Sequence, residues 1–189
     1  MQYPELHAAF VVLLVGTQAF FTALAVLDVR HADRLVDSKQ GWLADTLGID
    51  DTNELSDYHR LTTAFSELQS WIGLVVLLIV LYAGGLAWAV DLLAATGLST
   101  VLQGILFFAG LIVATQLFSL PFSIVSTFGI EEVFDFNQQT PRLFARDTVV
   151  TLGISLVFTA ILGGAILAFI TALPTLWPLA AWLLFIAFS

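Results

Sequence analysis

Cysteine is absent from all 189 residues, which excludes disulfides, thiol chemistry and cysteine-ligated zinc. Histidine is scarce: His7, His31 and His59 stand far apart, and the sequence holds no H-E-x-x-H. That spacing is what puts two imidazoles on one helical face around zinc, so no metal site is expected from this chain alone. No G-x-S-x-G motif and no phosphate-binding glycine loop occur, and Ser123 and Ser126 have no histidine near them in sequence. Lysine occurs once, and six basic residues face fifteen acidic ones for a net charge of −9. Nucleic acid is therefore excluded as a partner. An acidic, lysine-poor surface suits a halophilic source, because carboxylates stay hydrated and salt screens their repulsion.

What is abundant is apolar. Hydrophobic residues make up 59% of the chain and charged ones 11%, the balance of an integral membrane protein. Crossing the hydrocarbon takes about 20 mostly apolar residues. Four segments qualify: about 8–27, 71–90, 101–123 and 149–171. A fifth, 174–189, is apolar to its last residue but short, and lacks the polar flank that normally closes a span; it reads as cut there, with a short tilted helix at a natural terminus as the alternative. The leader MQYPELH has no Lys or Arg, so the first span is not a cleavable signal peptide. The expected fold is all-α: one polytopic membrane domain over 1–189, with four to five transmembrane helices and a long cytoplasmic extension of the second.

Charge placement predicts the topology. Arg30, Arg34, Lys39 and Arg60 lie in loop 28–70, Arg142 and Arg146 in loop 124–148, and the other connections carry no Lys or Arg. Cytoplasmic loops collect such residues, which puts both large loops inside the cell and the N-terminus outside. The 28–51 stretch reads as irregular or short-helical. From about Asn53, Leu55, Tyr58, Leu61, Phe65 and Leu68 share one face, with Asp57, Arg60 and Glu67 opposite. Thr52 or Asn53 can cap this helix, which is expected to continue through span two for about 36 residues, or ~54 Å. Its apolar stripe needs a partner, either the other large loop or a separate soluble domain.

Small residues at four-residue spacing, Gly85 with Ala89 and Ala160 with Gly164, suit close helix contact. Gln18, Gln103 and Gln116 are the polar groups within spans and are expected to hydrogen-bond between helices. No ionisable residue falls in the middle of a span, which counts against proton-coupled transport.

The most specific stretch is Leu120 to Asp147, LPFSIVSTFGIEEVFDFNQQTPRLFARD. Glu131 and Glu132 would diverge by about 100° as helical neighbours. That suggests one structural and one functional carboxylate; ion pairs with Arg142, Arg146 or Arg60 are the plainer alternative. Asp135 to Asn137 suits a turn, and Pro141 suits the start of a helix running into span four.

This run resembles the signature of the N-terminal membrane domain of zinc-dependent CAAX prenyl proteases (type 1). The matching positions include Pro121, Ser123, Ser126, Thr127, Glu131, Glu132, Phe136, Asn137, Thr140, Pro141, Phe144 and Asp147, and upstream Tyr58, Arg60, Phe65 and Ser66 are similar to the family's entry to its second span. Val125, Val133 and Asp135 depart from it, the last replacing a usual glycine. The resemblance implies a wall and docking surface of a membrane chamber, with zinc and catalysis supplied by a portion this chain does not contain, in cis or in trans. It implies partners in the lipid bilayer and in prenylated or membrane-associated peptides. No catalytic, cofactor or metal ligand carries over. Docking candidates are Glu131, Glu132, Asn137 and Arg142, with the chain expected to be inactive alone. A stand-alone, non-enzymatic membrane protein that binds a lipid or partner protein is the alternative.

Overall fold

The computed structural model describes residues 4–47 and 52–188, with side chains described over 4–35 and 54–186. The described residues form helices joined by short connections: α1 (Pro4–Leu47), α2 (Thr52–Tyr82), α3 (Gly85–Ala94), α4 (Thr100–Val125), α5 (Glu131–Val133), α6 (Pro141–Phe158), α7 (Gly164–Ala172) and α8 (Trp177–Phe188). Two π-helical segments, Ser126–Ile130 and Thr159–Gly163, join α4 to α5 and α6 to α7. Among the described residues, four helical stretches are long and apolar enough to cross a membrane: Pro4–Leu35, Glu54–Tyr82, Thr100–Val133 and Pro141–Ala172. Their large apolar side chains face outward, as Val12, Leu117 and Val149 do at 62–70% exposure. In water such surface would drive association; in a bilayer it faces lipid.

Three expectations are corrected here. Residues 28–47 are neither irregular nor short-helical but the end of one long helix, α1, from Pro4 to Leu47, and 48–51 lie outside the described residues. No Pro or Gly interrupts it between Asp28 and Gln40. The second helix does not continue to Val90: it ends at Tyr82, where Gly84 takes a φ of +80° and starts a new helix at Gly85. Only glycine adopts that left-handed conformation at no steric cost, so the Gly84-Gly85 pair is a stop. Gly85 therefore heads α3 rather than packing within span two. Of segment 174–189, the turn at Leu173–Trp177 and helix α8 are described. The cap expected at Thr52 or Asn53 and the acidic side chains of 45–51 lie outside the described residues.

The chain groups into two compact units. The first comprises Met1–Ala83 and Phe122–Gln138, and the second Gly84–Pro121 and Gln139–Ser189. In the first, α1 and α2 form an antiparallel pair. From Val11 to Val29 the half-buried positions of α1 are Val11, Leu14, Gln18, Thr22, Ala25 and Val29, at spacings of three or four. Such spacing makes the narrow seam of a coiled-coil-like contact. The opposite face of α2 carries Tyr58 and Phe65, and Phe65 meets Phe122 with ring centroids 6.0 Å apart. The stripe read from the sequence thus finds its partner in the 122–136 segment.

In the second unit α4 crosses α7 closely. A Cβ on Gly104 would stand 2.5 Å from Leu167 Cδ1, and one on Gly164 would stand 2.9 Å from Ile105 Cδ1. Close backbone approach through small residues is how membrane helices gain contact where lipid is as apolar as leucine. Gly164 acts as its spacing suggests. Gln103 does not: its amide donates to the Leu98 carbonyl at 2.7 Å, a bond local to the start of α4.

Candidate functional site

In the first unit, residues 122–138 of the signature segment form an ordered turn built on α2. Pro121 lies inside α4 and supplies no N–H to the helix ladder. From Ser126 to Ile130 the chain widens into a π turn, closed where the Glu131 N–H donates to the Ser126 carbonyl. Such insertions recur at functional sites. Ser126 and Thr127 lie in it, and Ile130, at its end, is 6% exposed, a buried seat in a molecule whose apolar side chains mostly face outward.

The chain then reverses. The Glu131 carbonyl accepts from the N–H groups of Phe136 at 2.9 Å and Asn137 at 3.2 Å. Asn137 Nδ2 donates to Glu132 Oε2 at 2.7 Å, closing the loop through side chains. Asp135 makes the reversal with a φ of +56°, the left-handed region that favours glycine. The glycine usual in the signature at this position would meet that demand without strain. Phe134 and Phe136 clasp Tyr58 of α2, with ring centroids 5.4 Å and 4.8 Å from it in edge-on geometry. Edge-to-face contact of this kind adds about 1 kcal/mol beyond area burial.

This arrangement separates the two glutamates. Glu132 closes the turn, whereas the Glu131 side chain is half-buried and takes no ion-pair partner among the described residues. Arg60 does not serve them: its guanidinium engages Asp33 at 2.9 Å and Asp57 at 3.6 Å. Asp33, six residues past the apolar stretch 8–27, also accepts from Ser56. The Arg60 hydrogen bond first, then that of Ser56, holds the Asp33 carboxyl below its ordinary value.

In the second unit, Thr140 caps α6 by accepting from the Leu143 N–H at 3.3 Å, and Pro141 fills the first helical position. This is the helix start that the sequence predicts. Arg142 and Arg146, one turn apart, line an open cleft with Thr140 and Leu143. Phe144 and Asp147 follow on the same helix.

One cluster escaped sequence reasoning. Glu67 on α2 accepts from Thr22 and, at 3.4 Å, from Gln18, while Trp71 Nε1 donates to Thr22 Oγ1 at 3.0 Å. Gln18 thus bonds between helices as expected. A carboxylate nevertheless stands beside the middle of the first span, where none was expected. Gln18 and Thr22, polar on an otherwise apolar seam, were the available signal.

The described residues do not gather the donor set of a zinc centre. His59 Nε2 stands 3.4 Å from the Asp28 carboxylate, and His7 meets Tyr82 edge-on. Among the described residues no three His, Asp or Glu side chains come together.

Residues 39–189 match the model of a family described as the CAAX prenyl protease N-terminal domain, with five membrane helices. The chain is 28% identical over 145 residues to the probable CAAX prenyl protease 1 of Schizosaccharomyces pombe, a match covering 70% of this chain and 31% of that protein. It is 45% identical over 49 residues to a CAAX prenyl protease 1 homolog of Oryza sativa subsp. japonica, covering 26% of this chain and 12% of that protein. The chain therefore spans about a third or less of the length of these curated relatives. No solved structure matches. With a multi-pass helical architecture and a family match over most of its length, the chain belongs to the CAAX prenyl protease N-terminal family.

Proposed function

We propose that this chain is the membrane chamber and docking domain of a CAAX prenyl protease-like zinc metalloendopeptidase, the zinc-bearing catalytic part being supplied from outside these 189 residues, in cis or in trans. The observation that carries this reading is the turn at 126–137, braced by Tyr58 and the Glu132–Asn137 bond, with the Glu131 carboxylate left for a partner. A preorganised turn presents such a group at low ordering cost. Glu131, Asn137 and Arg142 dock the catalytic part, and the substrates are prenylated or membrane-associated peptides. Of loop 28–70 the basic part, Arg30 to Arg60, faces the cytoplasm with loop 124–148, and the N-terminus faces outside, because Lys and Arg gather there. The acidic excess supports a high-salt setting, in which unfolding temperature rises with molar KCl.

The test is zinc content and cleavage of a prenylated C-terminal peptide, measured on this chain, on the zinc-bearing part, and on the two together. Cleavage only by the combination supports the proposal. Full activity of the zinc-bearing part without this chain overturns it and favours a stand-alone protein binding a lipid or partner protein.

A further inference from the structure

The polar cluster Gln18–Thr22–Glu67–Trp71 sits in the apolar part of the α1–α2 pair. About 22 Å of helix separates Tyr82 from Glu67 at 1.5 Å per residue, less than the ~30 Å of a hydrocarbon core. Tyr82 marks one end of the pair, its hydroxyl donating to the His7 carbonyl at 3.3 Å. The other end is held by Asp33 with Ser56 and Arg60. Between these ends the rest of the α1 seam is Val11, Leu14, Ala25 and Val29, side chains that pack nearly as well one turn up or down.

Lipid gives two apolar helices no hydrophobic reason to prefer one alignment over its neighbour. A polar layer does. If α1 slid by one turn, Glu67 would keep only one of its two donors, Gln18 or Thr22, with an apolar side chain in place of the other, a cost for a carboxylate in lipid. Single polar layers select register in coiled coils by the same logic.

We propose that Gln18, Thr22, Glu67 and Trp71 form an intramembrane register lock, setting the axial alignment of α1 on α2. The apolar stretch of α1 precedes residue 39, where the family match begins. The lock thus joins a span that precedes the matched residues to a helix within them. Glu67 supplies the acceptor, Thr22 and Gln18 donate to it, and Trp71 orients Thr22.

The absence of cysteine makes the test clean, since introduced thiols are the only ones present. Val11 and Leu78 are half-buried positions between the Tyr82 and Glu67 contacts, and Leu74 is half-buried one turn away. Disulfide formation is compared between Val11→Cys/Leu78→Cys and Val11→Cys/Leu74→Cys, in lipid vesicles. The in-register pair is expected to form about tenfold faster. In a background of Gln18→Leu, Thr22→Val and Glu67→Leu, the two pairs are expected to come within about twofold of each other. Should that variant not yield helical, monodisperse protein, Glu67→Leu alone carries the same comparison, and Glu67→Gln, which keeps an acceptor, is expected to restore the preference. A preference unchanged without the polar layer overturns the proposal. So does equal disulfide formation by both pairs in the native background.

Discussion

Asn137 reaches back to Glu132, its amide 2.7 Å from the carboxylate Oε2, and so ties the end of the signature turn to its beginning. A hydrogen bond to a charged group in this setting is worth on the order of 1 kcal/mol. Glu132→Ala and Asn137→Ala should each lower the unfolding free energy by about that much. Substitutions at Asp45 or Asp50 should change it by under ~0.5 kcal/mol. Thermal unfolding in detergent micelles checks this, and equal effects at both places would remove the turn from the candidate site.

Asp135 holds the chain at a φ of +56°. Asp135→Gly should stabilise the protein by up to about 1 kcal/mol, because relief of left-handed strain outweighs the added freedom of the unfolded chain. Asp135→Val, β-branched at the same angle, should destabilise it by more. The order Gly, Asp, Val in unfolding temperature is the expected readout.

Gly104 tests the α4–α7 crossing. An added methyl would stand 2.5 Å from Leu167 Cδ1, the movable tip of a side chain, so Gly104→Ala should cost about 1 kcal/mol as Leu167 shifts. Gly104→Leu should cost about 3 kcal/mol or more. Combining Gly104→Ala with Leu167→Ala should show coupling between the two sites, measured as a double-mutant cycle.

Asp33 and Arg60 make a pH-dependent contribution. The Asp33 carboxyl is held below its ordinary value by the hydrogen bonds of Arg60 and Ser56. Its contribution is full above the carboxyl's unfolded value and fades as pH falls through the lowered folded one. Arg60→Gln should flatten that part of the acid unfolding profile, and Asp33→Asn should remove it.

These contacts differ in how openly the sequence declares them. Thr140-Pro141 announces a helix start because cap and first-turn preferences are local, and α6 begins there. Tyr58 and Phe65 are legible as one stripe, and their partner is the segment that carries the signature. The Gly84-Gly85 stop is also local, yet the apolar run across it reads as continuous, because lipid-facing composition masks a backbone break. Glu67 reads as part of a charged face opposite that stripe. Only the antiparallel pairing, a long-range event, turns that face toward Gln18 and Thr22. The different surroundings of Glu131 and Glu132 follow from the π turn before them, for which no residue pattern is diagnostic.

That π turn changes how the helix must be followed. It holds one residue more than the α turn it replaces, and one residue is worth about 100° of rotation. A stripe traced down α4 therefore does not continue onto α5; it jumps sideways at Ser126–Ile130. Removing a single residue there, Gly129 for example, would act as a screw: everything beyond it turns by roughly a quarter of a revolution. Ile130 would leave its seat and Glu131 would exchange directions with its neighbour, while composition and hydropathy stayed almost unchanged. In this segment the residue count shapes the chain as much as any side chain does.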